Sequence, residues 1–150
     1  MVTIVPASHE DSPFLLAWRN DPVSIAASIT PSRVEPADHD AWFARVLADI
    51  DRRILIARDR SGARLGMVRF DRSDGIATVS INLAPETRGR RLSVPVLQAG
   101  IEAIIGEWGR PLRLVAEIRE ENAASIALFE RVGFILIGTG NGVRRYALDG

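Results

Sequence analysis

The chain has 150 residues, 47% of them hydrophobic, and its 19 basic and 19 acidic side chains give a formal net charge of zero. That size suits one domain over residues 1–150 with a sizeable core, and the balanced charge argues against a general binder of nucleic acid or acidic membranes. Every basic residue is arginine and there is no cysteine, so a Schiff-base or P-loop lysine, a disulfide framework, a thiolate zinc site and a cysteine acyl-enzyme are all excluded.

In chain order, Val2–Val5 reads as a first strand. The stretch from Met1 to Ser8 lacks the basic segment and apolar run of a signal peptide. No apolar stretch is long enough to span a bilayer, and the expected location is the cytoplasm. Ser8 and Asp11 resemble a helix start, with Phe14, Leu15 and Trp18 at helical spacing, and Asp21-Pro22 interrupts that helix. Asp38 is placed to cap a second helix whose apolar stripe is Trp42, Phe43, Val46, Leu47 and Ile50. Arg53–Arg58, Arg64–Phe70 and Ile76–Leu83 then read as an antiparallel meander, joined by the hairpin turns Arg60-Ser61-Gly62 and Arg72-Ser73-Asp74-Gly75.

The pattern changes at Leu92–Ile105, a strongly apolar helix that tolerates Pro95 only in its first turn. Leu112–Ile118 alternates as a strand. Asn122–Val132 is a helix capped by Asn122 and ended by Gly133. Phe134–Ile137 and Arg144–Leu148 close the chain as strands around a glycine-rich turn. That turn lies between strands, so Gly138-Thr139-Gly140-Asn141-Gly142 is not a dinucleotide loop. His9 and His39 lack metal-site spacing, and no nucleophile elbow occurs. No metal is expected.

Two segments carry chemistry. In Asn82-Leu83-Ala84-Pro85-Glu86-Thr87-Arg88-Gly89-Arg90-Arg91-Leu92-Ser93 a strand ends, a loop brings three arginines, and a helix begins. Unpaired amides at a helix N-terminus and arginine side chains both suit phosphate; a solvated loop is the alternative. The second segment, Asn122-Ala123-Ala124-Ser125-Ile126-Ala127-Leu128-Phe129-Glu130-Arg131-Val132-Gly133-Phe134, follows a strand and opens a helix.

Together these segments resemble the GNAT superfamily of N-acetyltransferases. The first is similar to its pyrophosphate loop, Arg/Gln-x-x-Gly-x-Gly/Ala, and the second to its signature Asn-x-x-Ser/Ala-x-x-Leu-Tyr/Phe-x-x-x-Gly-Phe. The strand order and Leu65-Gly66-Met67-Val68-Arg69-Phe70 in the third strand also match, over essentially the whole chain. The resemblance implies a mixed α+β fold: a mostly antiparallel twisted sheet of about seven strands, the fourth and fifth splayed, flanked by about four helices. It implies direct acetyl transfer from acetyl-CoA to a primary amine. Cofactor contacts would come from Asn82, Leu83, Arg88, Gly89, Arg90, Arg91, Leu92, Ser93, Asn122, Ser125 and Phe129. A backbone N–H near Asn82 or Leu83 would face the thioester oxygen.

Two departures bear on mechanism. Arg91 stands where glycine is usual, with Ser93 at the small-residue position, and side chains disfavour left-handed backbone angles. Phe129 stands where many members place a tyrosine that protonates the leaving thiolate, and phenylalanine has no proton to donate. No glutamate occupies the fourth strand; Thr78, Ser80 and Asn82 line one face instead. Among candidate catalytic residues, His39 has the pKa of a base, Ser80 can hold a water, and Asn122 can bond the loop or pantetheine. Asp71 and Glu117 are weaker candidate bases, and Tyr146 either replaces the missing acid or, as the preferred reading, packs on the last strand. Trp18-Arg19-Asn20-Asp21 followed by His39-x-x-Trp42-Phe43 resembles the branch that acetylates nucleotide-linked amino sugars, with some likeness to ribosomal-protein N-terminal acetyltransferases. Arg19, Asn20, Arg69 and Thr78 are the candidate substrate contacts. The expected partner is a small-molecule amine or a peptide N-terminus, not nucleic acid or membrane, for a monomer or homodimer. A non-catalytic acyl-CoA-binding module is the rival reading, favoured by Arg91 and Phe129.

Overall fold

The computed structural model describes residues 2–150. Seven strands form one sheet: β1 (Thr3–Pro6), β2 (Arg52–Arg58), β3 (Arg64–Ser73), β4 (Ile76–Leu83), β5 (Arg113–Arg119), β6 (Ile135–Gly140) and β7 (Val143–Asp149). Their spatial order is β1-β2-β3-β4-β5-β7-β6. The expected α+β fold is present, with β4 and β5 the parallel pair and the other neighbours antiparallel.

Turn chemistry fixes the meander. Asp74 and Gly75, at φ of 52° and 76°, make the tight β3–β4 hairpin, and Asn141 and Gly142, at 53° and 75°, make the β6–β7 hairpin; two positive φ values are what a two-residue turn matching strand twist requires. Between β2 and β3, Asp59 Oδ1 accepts from Ser61 N at 2.9 Å and Ala63 N at 3.0 Å.

Five α-helices cover the sheet: α1 (Ser12–Arg19), α2 (Pro22–Ala27), α3 (Pro36–Ala48), α4 (Ser93–Trp108) and α5 (Ala123–Val132). The helix beyond the expected four is α2. Asp21-Pro22 does not merely interrupt a helix; it restarts one, since Asp21 accepts from Val23 N and Ser24 N while Pro22 occupies the first position, where its missing N–H costs nothing. Asp38 is not a cap either. Glu35 precedes the helix and Pro36 begins it, which puts Asp38 in the first turn. Ile50, expected on the apolar stripe, lies beyond the end of α3 and is exposed.

The sheet separates two cores. Leu55, Ala57, Val68, Phe70, Val79 and Leu114 face Val96, Leu97, Ile101 and Ile104 of α4 and Phe129 of α5. On the opposite face Ile54 and Ile56 meet Leu15 and Trp18 of α1 and Phe43 and Val46 of α3. Alternate β2 residues therefore serve opposite cores, which explains a strand buried on both sides. α4 sits unusually close to β3, because a Cβ at Gly100 would approach the Val68 side chain to 2.9 Å. A buried carboxylate ties the N-terminal turn to the meander: Asp11 Oδ1 lies 2.8 Å from Arg64 Nε, and its Oδ2 accepts from Ser8 N at 2.8 Å. Burial pushes the Asp11 carboxyl up, but these bonds and Arg58 outweigh it and hold it below its ordinary value. Among the described residues no helix is long and apolar enough to cross a membrane.

Candidate active site

β4 and β5 pair only at Ile76–Arg113, Ala77–Leu114 and Thr78–Val115. Beyond Thr78 the two strands diverge, β4 staying on β3 and β5 on β7. The fork opens into a cavity of about 650 Å³, within the range of small-ligand sites. Its walls come from β3, β4, β5 and α5 and from the helices before β2. β4 gives Val79, Ser80, Ile81 and Asn82; β5 gives Ala116, Glu117 and Ile118; α5 gives Asn122, Ser125 and Phe129. Helices α1 to α3 add Arg19, Ser24, His39 and Trp42, the segment from Ser28 to Val34 forms a roof, and Met67 and Arg69 project from β3.

The parity of the β3–β4 ladder says what the open edge offers. Ala84 N donates to Leu65 O at 2.9 Å, and the register runs without a bulge from Gly66–Leu83 to Ser73–Ile76. Alternation of the antiparallel pattern therefore turns the N–H groups of Ile81 and Leu83 away from β3, toward the fork. Ile81 lines the cavity and Leu83 does not, so the outward-facing amide of Ile81 is the one on this edge that borders the cavity.

At the start of α5 the Asn122 side chain accepts from Ser125 N at 3.2 Å, and Gly133 ends the helix at φ 112°. Both caps were legible. Phe129 is 3% exposed and meets Phe134 edge-on at 5.0 Å, so the usual tyrosine position is apolar and well packed. Tyr146 does not replace it. Its ring is fully buried in the core, and its hydroxyl lies 3.1 Å from Glu130 Oε2.

His39 is 4% exposed, stacks on Phe43 and borders the cavity. Burial lowers its pKa, against weaker upward pulls from Asp40 and the Ser12 backbone. Its Nε2 is buried without a hydrogen-bond partner among the described residues. The imidazole is thus neutral near pH 7, as a base must be. Arg19 and Arg69 both reach the cavity. Asn20 and Thr78 do not line it. Both amide atoms of Asn20 are satisfied by Val34, its Oδ1 accepting from Val34 N and its Nδ2 donating to Val34 O, each at 2.7 Å, so Asn20 fastens the roof to α1. Thr78 is the last residue paired across the fork, below the opening. Asp71 is held by Arg52 and Arg69 at 3.0 and 3.2 Å.

The arginine loop divides its work. Arg88 Nη1 donates to Asp21 Oδ2 at 2.8 Å, its Nη2 donates to Ser24 Oγ at 3.0 Å, and Ser24 Oγ donates to Asn82 Oδ1 at 2.9 Å. Arg88 is therefore a strut between the loop, α2 and β4. Arg90 is exposed, and Leu92 packs against the core. Gly89 has φ 78°, and Arg91 adopts φ 58°, a left-handed backbone that glycine takes more readily than arginine. With Ser93, Val94 and Arg131, Arg91 lines a shallow concavity at the N-terminus of α4. Two arginines beside unpaired helix amides suit a pyrophosphate, so the residues fit coenzyme A. Arg131, in a variable position of the α5 motif, carries no signal of its own; it joins Arg91 only because α4 packs on α5.

The comparisons agree with this geometry. The model of the acetyltransferase (GNAT) domain family matches residues 2–135. The L-methionine sulfoximine/L-methionine sulfone acetyltransferases of Pseudomonas paraeruginosa and Pseudomonas aeruginosa are each 34% identical to the chain and cover 91% of it and 81% of their own length. Among solved structures, spermidine N-acetyltransferase from Vibrio cholerae, in complex with CoA and spermine, superposes with a TM-score of 0.86 at 16% identity, over 99% of this chain and 95% of that one. A putative phosphinothricin N-acetyltransferase gives 0.81 at 23% identity, over 99% and 98%. These relatives do not single out the amino-sugar or ribosomal-protein branch that the aromatic motifs resemble, and their names give no support to a non-catalytic module. With its forked sheet, its helix-end arginines and these relatives, the chain belongs to the GNAT family and is an acetyl-CoA-dependent N-acetyltransferase.

Proposed function

We propose that the chain acetylates the α-amine of a small amino acid of the methionine sulfone or sulfoximine kind, with residues 1–150 working as one domain. The observation that carries this reading is the cavity at the β4–β5 fork, which opens on the unpaired edge of β4 and brings cationic side chains beside it. The activity in the Pseudomonas relatives' names supplies the substrate class.

On this reading Arg91, Arg131 and the first amides of α4 hold the pyrophosphate, and the open edge of β4 pairs with the pantetheine arm as an added strand would. Ile81 N–H donates to the thioester oxygen, where negative charge develops as the amine adds. His39 takes the amine proton, directly or through a water held near Ser80. The amine nitrogen forms the C–N bond, the C–S bond breaks, and sulfur leaves with the electron pair. Phe129 offers no proton at that point. A thiol with a pKa of roughly 8.5 is a tolerable anionic leaving group. Asn122 holds the start of α5, and with it the rear wall of the cavity.

Release of free thiol from acetyl-CoA tests the function, with methionine sulfone, methionine sulfoximine, spermidine, a nucleotide-linked amino sugar and a short peptide as acceptors. Saturable release with the two methionine derivatives is expected. Release only with another acceptor would overturn the substrate class.

A further inference from the structure

We propose that Arg19 and Arg69 together form the grip for the acceptor's carboxylate, and so decide that this cavity takes an amino acid and not a polyamine. The inference rests on the amino-acid reading above and assigns it to two side chains.

The two cations come from different elements, α1 and β3, and both line the cavity. Each is held from behind. Arg19 Nη2 donates to Thr30 O at 2.8 Å, while its Nη1 is buried without a hydrogen-bond partner among the described residues. Arg69 Nε lies 3.2 Å from Asp71 Oδ2 in poor alignment for a hydrogen bond. Its guanidinium carbon sits 5.4 Å from the Trp42 ring centroid. Arg52 in turn holds Asp71 at 3.0 Å. These anchors hold both guanidiniums at the cavity wall, and Arg19 has no carboxylate partner among the described residues.

Two like charges held this close repel. Burial, and then the charge of Arg69, push Arg19 below the usual guanidinium range, although an arginine stays protonated. A carboxylate between them relieves the repulsion and fits the planar fork of either guanidinium. Position favours the same ligand. Arg69 lies directly across the ladder from Ser80, next to Ile81, so an anion there sits beside the acetylated amine, as in an α-amino acid. The remaining charged lining, Arg45, Asp38 and Glu117, leaves the cavity with one more arginine than carboxylates. A polycation gains nothing from that balance.

The test uses two acceptors that differ only in the carboxylate, methionine sulfone and 3-(methylsulfonyl)propylamine, with the wild-type chain, Arg19→Gln and Arg69→Gln. The wild type should prefer methionine sulfone. Each variant should raise its KM about 10- to 100-fold, the value of a charge-assisted bond, and by a larger factor than the KM for the carboxylate-free amine or for acetyl-CoA. An unchanged preference in both variants, or no preference in the wild type, would overturn the grip while leaving the amino-acid reading intact. Wild-type turnover of spermidine but of neither sulfone would instead sink that reading. Should a variant fail to fold, 4-(methylsulfonyl)butanoate keeps the matter decidable: it should inhibit the wild type competitively against the amine, and absence of inhibition would count against the grip.

Discussion

Arg88 of the loop before α4 is paired with Asp21, the cap of α2, at 2.8 Å. This contact joins the loop to the helix that leads into the cavity roof. The Arg88 bond is also the main reason the Asp21 carboxyl lies below its ordinary value, with the Ser24 and Val23 amides adding to it against burial. Arg88→Ala should therefore loosen α2 and the roof. The KM for the amine is expected to rise severalfold, more than that for acetyl-CoA, and Asp21→Ala should do the same. Steady-state kinetics in both substrates check this; a rise confined to acetyl-CoA would make Arg88 a phosphate ligand.

Arg131→Ala should raise the KM for acetyl-CoA about 10-fold with little effect on the amine, since one charge-assisted phosphate bond is removed. Arg91→Gly should split two quantities. The left-handed backbone at φ 58° becomes unstrained, so melting should hold or rise by up to ~1 kcal/mol, while the acetyl-CoA KM rises through loss of the guanidinium.

Phe129→Tyr restores a hydroxyl at the fork. The rate constant for thiol release should increase below a pH of roughly 8.5, where protonating the leaving sulfur helps most, and should converge with the wild type above it. A loss of several degrees in melting temperature would show that the site beside Phe134 is closed to a hydroxyl.

His39, as the proposed base, is expected to set two pH dependences. Its folded pKa is lowered by burial, so the unfolded chain binds this proton first. The contribution to stability is complete above about pH 6.5, the unfolded value. It is lost as pH falls from there to the folded pKa. As a base, His39 stays competent into the same range, so the acid limb of kcat/KM should lie below pH 6.5. His39→Gln should lower kcat by about 10²–10⁴ and abolish that limb. Retention of the limb would assign it elsewhere.

Gly66 faces Leu83 across the ladder, and a Cβ there would approach Asn82 O to 2.6 Å. Because the obstacle is backbone, Gly66→Ala should destabilise the fold by about 1–3 kcal/mol and displace the β4 edge that carries Ile81. Chemical denaturation and kcat should fall together. Gly106→Ala, where the added carbon meets nothing within 4 Å, is the control.

Much of the frame was legible because its signals are local. Asn122 and Gly133 bracket α5 within twelve residues, and Asp74-Gly75 makes its hairpin without help from elsewhere. The six-residue α2 is shorter than the periodicity needed to reveal a helix, so in sequence its cap, Asp21-Pro22, has the same signature as a helix break. Asn20 looked like a substrate contact because its partner, Val34, lies 14 residues away in an irregular segment. Arg131 comes beside Arg91 only when α4 packs on α5. Arg19 and Arg69 share one cavity wall only because α1 and β3 border the same fork, which no sequence spacing encodes.

The central claim is best tested by competition. Methionine sulfone and spermidine at equal concentration are incubated with the chain and acetyl-CoA, and the acetylated products are identified by mass spectrometry against total thiol released. The account predicts N-acetylmethionine sulfone in step with thiol and little acetylspermidine. Acetylspermidine as the main product, or thiol release without an acetylated amino acid, would contradict it.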